Sequence, residues 1–253
     1  AILIAKSAKV FIYRKKNSSI VWFFTTLILL GFSLALIISN QWLVLINDPE
    51  MPNLVNKIIE DGLVFKVRIF IFTLTIFSVF FVFKYIPKSI LLLQFLFLSG
   101  QFLIMHPIRN ITDSLRQLPI RQISQKIEES RKSSEPLAMI GIRKPSLHFY
   151  SKQIVFYEPN SRIGIINLSE RFEKDKRKNL IDNPNYDSDS FLVVIDRYSI
   201  DKSYWKNIKR KKLGVYGIYN LFRVERFELN KYASNFQKKG LRSDWNIRKF
   251  EKF

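Results

Sequence analysis

Ile20–Ile46 runs 27 residues without a charged side chain. About 20 apolar residues suffice for a helix to cross a bilayer core, and a longer run is accommodated by tilting. Two further apolar runs follow, Val67–Phe83 and Ser89–Met105. Trp22 and Trp42 stand near the two ends of the first run, where interfacial aromatics belong. Arg68 stands at the edge of the second, where its long stem lets the charge snorkel to water. These runs predict a membrane region over residues 1–107, with about three transmembrane helices near 20–46, 67–83 and 89–105. The alternative for the last two runs is one re-entrant hairpin.

Short basic segments set orientation. Lys6, Lys9, Arg14, Lys15 and Lys16 precede the first run, and Lys84, Pro87 and Lys88 separate the second from the third. The positive-inside rule makes both cytoplasmic. Everything after His106 is then extracytoplasmic, in a protein of the inner (plasma) membrane. That part is itself basic, but long domains translocate largely regardless of charge. The formal net charge of +20 favours polyanions: lipid head groups, phosphorylated carriers or nucleic acid. A compositional bias toward Lys, Ile, Phe and Asn is the simpler source of part of it.

Several chemistries are excluded. The chain has no cysteine, so it has no disulfide, thiolate metal site or cysteine nucleophile. Its 2 histidines, His106 and His148, cannot by themselves make a three-histidine metal site. The sequence offers no metal-ligand set. Asp48, Glu50, Glu60 and Asp61 lie between the first two runs and read as a solvated loop sooner than as a metal or base site. The chain lacks an initiator Met and a signal-peptide pattern, which suggests a fragment or a processed chain.

Residues 108–227 read as a soluble α/β domain. Pro119 suits the first turn of a helix whose Ile120, Ile123 and Ile127 share one face. Leu137–Ile142, Ile154–Tyr157 and Phe191–Ile195 read as strands, and Pro145–Tyr150 as a short helix. Asn167 or Ser169 suits the cap of a helix running to about Lys178. Ile200, Tyr204 and Ile208 suit another helix, and Val215–Phe227 suits strands at a sheet edge. Alternating strands and helices predict a partly parallel sheet. Residues 228–253 read as a basic tail without a persistent period.

One segment is specific. Glu135–Ser151, EPLAMIGIRKPSLHFYS, resembles a stretch in bacterial polyprenol-dependent membrane glycosyltransferases, the aminoarabinose transferase and protein mannosyltransferase-like family. The resemblance rests on Glu135 through Met139, Gly141, Lys144 through Leu147, Phe149 and Tyr150. Looser likeness extends over residues 18–227. It implies the C-terminal part of a transferase that takes a sugar from a polyprenyl-phosphate carrier and gives it to an extracytoplasmic acceptor. Family members carry more spans than three, so the resemblance also implies an upstream transmembrane half as a partner. Their catalytic carboxylate lies in an early loop that Asn47–Lys66 does not match, and no catalytic residue is carried over.

A carrier phosphate needs cations near the bilayer. Arg109, Arg116 and Arg121 follow the third run, and Arg143, Lys144 and Ser146 follow the first strand. Arg109, Arg116, Arg143, Lys144 and Ser146 are therefore the candidate contacts to lipid phosphate or substrate, aided by the start of a helix at Pro145. The alternative function is a non-catalytic, membrane-anchored binding or assembly module, since no complete acid, base or nucleophile set is visible. Lys206–Lys212 is rich in cations but carries no nucleic-acid motif, and no nucleic-acid partner is expected.

Overall fold

The structure is a computed structural model and describes residues 15–84, 89–132, 134–182 and 189–247. It divides into two units, Ala1–Leu115 and Arg116–Phe253.

The first unit is helical. Helix α1 spans Lys15–Ile37, α2 Ser39–Trp42, α3 Leu54–Glu60, α4 Leu63–Phe83, α5 Ser89–Gly100 and α6 His106–Thr112. Among the described residues, Ser19–Ile37 and Leu63–Phe83 are helices long and apolar enough to cross a membrane. The uncharged run is thus not one helix to residue 46. It breaks at Ile38 (φ −88°, ψ 14°), and Arg68 of α4 takes up the loose end. Its Nε donates to Leu36 O at 3.0 Å and its Nη2 to Ser39 Oγ at 2.7 Å. Arg68 therefore satisfies a helix C-terminus, where carbonyls lack intrahelical partners, instead of reaching for water. Trp22 also departs from the expected interfacial role. It is buried, stacks on Phe81 with ring centroids 4.7 Å apart and donates Nε1–H to Ser89 Oγ at 2.9 Å. Hydroxyl pairs tie α1 to α4: Thr26 to Ser78 at 2.6 Å and Ser33 to Thr75 at 3.2 Å. Such bonds are the polar glue of helix pairs in apolar surroundings.

The third apolar run forms α5 and then a π-helical turn, Gln101–Met105. Pro107 has no N–H to offer Leu103, and the ladder ahead of it widens. The same happens before Pro119, where Asp113–Gln117 is π-helical. The cytoplasmic turn expected around Pro87 lies outside the described residues.

The second unit is an α/β sandwich. Helix α7 spans Leu118–Ser130, strand β1 Leu137–Ile140, α8 Pro145–Ser151, β2 Val155–Glu158, α9 Arg162–Asp182 and β3 Ser190–Asp196. Two single turns follow, α10 Arg197–Ile200 and α11 Ser203–Lys206. The hairpin β4 Arg210–Tyr216 and β5 Tyr219–Glu225 leads into α12, Arg226–Lys238. The sheet order is β2-β1-β3-β5-β4. β1 lies parallel to β2 and β3, while β5 lies antiparallel to β3 and β4.

Strand β3 shows why the sheet carries a helix layer on each face. Phe191, Val193 and Ile195 join one core with Ala138, Ile140, Ile165 and Phe172, while Leu192 and Val194 join another with Met139, Ile120, Ile123 and Leu147. Successive side chains point to opposite faces, so a continuous apolar run is covered on both. The first core takes residues from α9 and α12, and the second from α7 and α8.

Four expectations are corrected here. α9 starts five residues before Asn167, which is buried mid-helix and caps nothing. Ile200, Tyr204 and Ile208 do not share one helix: Ile200 and Tyr204 fall in two separate turns and Ile208 beyond both. β5 is not at a sheet edge: it lies between β3 and β4, so of the predicted stretch only Val215 and Tyr216, in β4, lie on an edge strand. The segment from residue 228 is not a loose tail as far as it is described. It is helix through Lys238 with Leu229 and Ala233 buried, and beyond it Trp245 Nε1 donates to Glu170 at 3.0 Å.

Candidate functional site

The connections from β1 to β2 and from β3 to the hairpin leave β1 and β3 in opposite directions. In open parallel sheets the crevice at the strands' C-terminal ends, at such a switch, is the usual ligand position. Here that position is filled. Asp196, at the end of β3, accepts Tyr198 N–H and Ser199 N–H on Oδ1, both at 2.9 Å. Its Oδ2 accepts Ile142 N–H at 3.0 Å and Ser199 Oγ–H at 2.8 Å. Gly141 makes the fit possible, with φ +89° and a hypothetical Cβ only 1.7 Å from Asp196 Oδ2.

The open space lies one strand over, where β1 and β2 end. A cavity of about 330 Å³ is lined by Met139, Gly141, Arg143, Tyr157, Glu158, Pro159 and Asp244. The Arg143 guanidinium lies 5.0 Å from the centroid of the Tyr157 ring. Tyr157 Oη–H donates to Lys144 O at 2.8 Å, and burial raises the phenol pKa, so it stays neutral. Beneath, the fully buried Glu158 accepts from Arg171 at 2.7 Å and from Asn167 Nδ2 at 3.0 Å. Asn167 Nδ2 also donates to Asp244 Oδ1 at 2.8 Å, and Asp244 N–H returns a bond to Asn167 Oδ1 at 3.0 Å. Both carboxylates are thus bound into a network. The chemistry on offer is a cation over an aromatic face with polar walls, which suits holding a hydroxylated or anionic group. It does not suit proton transfer.

The sequence-predicted contacts divide. Arg143 lines the cavity. Lys144 is buried, and its carbonyl accepts both Tyr157 Oη–H and Leu147 N–H, so it fixes the turn into α8. Ser146 is half-buried in that helix, which runs 7 residues, too short to make a strong anion site by its dipole. Arg109, in α6, and Arg116 are exposed and do not line the cavity. Arg121 is half-buried in α7. His148 Nδ1 pairs with Gln153 O and His106 Nδ1 with Asn110 Nδ2 at 3.0 Å, both local contacts. Asp48 accepts Glu50 N–H at 2.8 Å and Asp61 pairs with Lys57 at 3.4 Å. Among the described residues no group of three or more His, Asp or Glu forms a metal site. Tyr157, Glu158, Arg171 and Asp244 were not singled out from sequence, and Asn167 only as a helix cap. Only the Glu158-Pro159 strand end carries any local signal for this edge.

Residues 130–240 match a family model described as the C-terminal domain of cyanobacterial RgtA-type glycosyltransferases. The second unit is similar to that domain. The match includes Glu135–Ser151, the segment on which the resemblance to membrane glycosyltransferases rests, and none of the three apolar runs. A crystal structure of ArnT from Cupriavidus metallidurans in the apo state aligns with 9% identity and a TM-score of 0.46. The alignment covers 85% of this chain and 38% of that one, so the chain spans well under half the length of that protein. No curated protein gives a significant match.

Proposed function

We propose that the chain is the C-terminal portion of an integral-membrane glycosyltransferase that moves a sugar from a polyprenyl-phosphate carrier to an extracytoplasmic acceptor. The observation that carries this reading is the match of residues 130–240 to a glycosyltransferase C-terminal domain. The two long apolar helices suit residence in the inner membrane. With α5 and its π-helical continuation, Ser89–Met105, as a third span, a cytoplasmic N-terminus puts the α/β domain outside. Partners in this reading are the lipid bilayer, the carrier-linked sugar and an upstream transmembrane half. Arg109 and Arg116, both exposed, meet the carrier phosphate. Arg143 and Tyr157 hold the saccharide, while Lys144 and Ser146 set the turn that presents Arg143.

The test is transfer of radiolabelled sugar from a polyprenyl-phosphate carrier in membranes containing the full gene product. Transfer is expected, and Arg143→Ala should lower it by about tenfold, the effect of losing one charge-assisted contact. Transfer that continues unchanged in a strain lacking the gene would sink the reading. Because Glu158 and Asp244 are engaged in a closed network, the second reading is a non-catalytic binding or assembly module. Carrier binding without transfer would favour it. Orientation is testable separately, because the chain has no cysteine. A Lys238→Cys variant should react with a membrane-impermeant maleimide added outside whole cells, and protection there would reverse the topology.

A further inference from the structure

A second cavity opens at the other end of the sheet, where β3 begins, β5 ends and β4 starts. Its volume is about 840 Å³. Of the 13 described residues lining it, 7 are Lys or Arg and 3 are Asp or Glu. These cations come from four separate parts of the second unit: Lys132 after α7, Lys176 in α9, Lys209–Lys211 at β4, and Arg223 and Arg226 around the end of β5.

Two of the cations are fixed. Arg223 is held by Glu135 at 2.8 and 3.1 Å and by Ser130 O. Arg226 is buried, lies 5.7 Å from the centroid of Phe172 and donates to Phe172 O at 3.4 Å. Lys132, Lys209 and Lys211 are exposed around them. The β4–β5 register sets Lys211 directly opposite Arg223. Like charges directly across a strand pair are destabilising, and a concave, low-dielectric wall focuses their field. At the rim the Phe227 ring is 73% exposed, an apolar face beside the charge. The first N–H of α12, on Arg226, is already bound to Asp189 O at 2.7 Å, so side-chain charge and not a helix end dominates. Lysines on an edge strand also discourage edge pairing. That role accounts for β4, and the Glu135 pair accounts for Arg223, but neither explains why Lys132, Lys176 and Arg226 converge on the same cavity.

We infer that this cavity binds a phosphate ester carried on a saccharide, at a site separate from the Arg143–Tyr157 crevice. Fixed guanidiniums orient the phosphate oxygens, and lysines on flexible stems close over the remaining charge. Phe227 receives the apolar face of the sugar ring. The inference does not depend on the transferase reading.

Isothermal titration of the full chain in neutral detergent tests it, with glucose 6-phosphate as probe and glucose and inorganic phosphate alongside. Glucose 6-phosphate should bind more tightly than inorganic phosphate, raise the thermal midpoint and weaken with added salt, while glucose should not bind. Lys209→Ala with Lys211→Ala should weaken binding about tenfold or more, and Lys211→Arg should retain it. Both lysines are exposed, so the fold should survive, and Lys238→Ala with Lys239→Ala should leave the affinity unchanged. Nanodiscs bearing phosphatidylinositol 4-phosphate distinguish the sources. Competition by them assigns the site to a lipid-borne sugar phosphate, and lack of competition to a free one. Failure of glucose 6-phosphate to bind, equal binding of glucose, or an affinity indifferent to the double substitution would overturn the inference.

Discussion

Each end of the sheet in the second unit buries a glutamate against an arginine, and the two pairs work at different ranges. Glu135, 1% exposed, meets Arg223 at 2.8 Å and Ser190 Oγ–H at 2.6 Å, so it joins the approach to β1 with β3 and β5. Lys132 N–H adds a bond at 3.1 Å. Glu158 meets Arg171 at 2.7 Å and Asn167 at 3.0 Å, both on α9. Through Asn167 it is linked to Asp244, far along the chain. The first pair fastens strands to one another, whereas the second fastens a strand end to the next helix and floors a small cavity. The motif segment thus has two jobs: its first residue clamps the sheet, and its centre, Gly141–Lys144, shapes the candidate site.

The largest effect should come from removing the clamp. Glu135→Ala leaves Arg223, whose side chain is only 18% exposed, without its carboxylate, and should cost about 3–5 kcal/mol in denaturant unfolding. Replacing both partners by apolar residues of similar volume should cost less than this single change. A loss below about 1 kcal/mol would show that the pair adds little and would erase the contrast. Glu158→Gln should cost less, about 1–3 kcal/mol, because the amide can still accept from Asn167 and loses only the charge toward Arg171. If it equals Glu135→Ala in the same measurement, the two ends are equivalent and the distinction fails.

Acid tests the clamp next. Burial pushes the Glu135 carboxyl up, but hydrogen bonds from Arg223, Ser190 and Lys132 N–H, with the Arg223 charge, together hold it below its ordinary value. A depressed carboxylate contributes stability that is present above its unfolded pKa, about 4.3, and lost as pH falls through the lower folded value. Denaturant midpoints should therefore drop over that acid window in the parent chain, and drop less in Glu135→Gln. An identical acid slope in both would remove Glu135 as the cause.

The smallest effect belongs to Tyr157→Phe. It deletes the 2.8 Å bond to Lys144 O but keeps the ring under Arg143, and should cost about 0.5–1.5 kcal/mol. Carrier or saccharide binding should hold if the aromatic face is what the cavity uses. Loss of binding with the fold intact would shift that role to the phenol oxygen.

Much of the architecture was legible because it is local. Apolar runs, the Ile120–Ile123–Ile127 face and the Leu137, Ile154 and Phe191 strand signals depend on spacing along a few turns of chain; two of the three runs form helices of membrane length, and helix α7 and the three strands form. Arg143 and Lys144 could be singled out because they sit in the one specific segment. The first run's break at Ile38 was not legible, since the Arg68 guanidinium that satisfies it comes from another helix. Nor was the cavity, because Arg143, Tyr157 and Asp244 come from three parts of the chain with no shared motif. Asn167 looked like a cap because asparagine commonly caps. Its amide instead answers two carboxylates, the buried Glu158 and the half-buried Asp244, 77 residues away.

The sequence by itself determined where the chain is apolar enough for a membrane, that an α/β domain follows, and which short segment carries a glycosyltransferase likeness. The tertiary structure alone decided that β5 is interior, that residues from 228 form a packed helix, and that cations from four parts of the domain meet around one cavity. The division has one physical cause. Periodicity and turn chemistry act between neighbours in the chain, whereas charge pairing and burial act between neighbours in space, and only the folded chain says which residues those are.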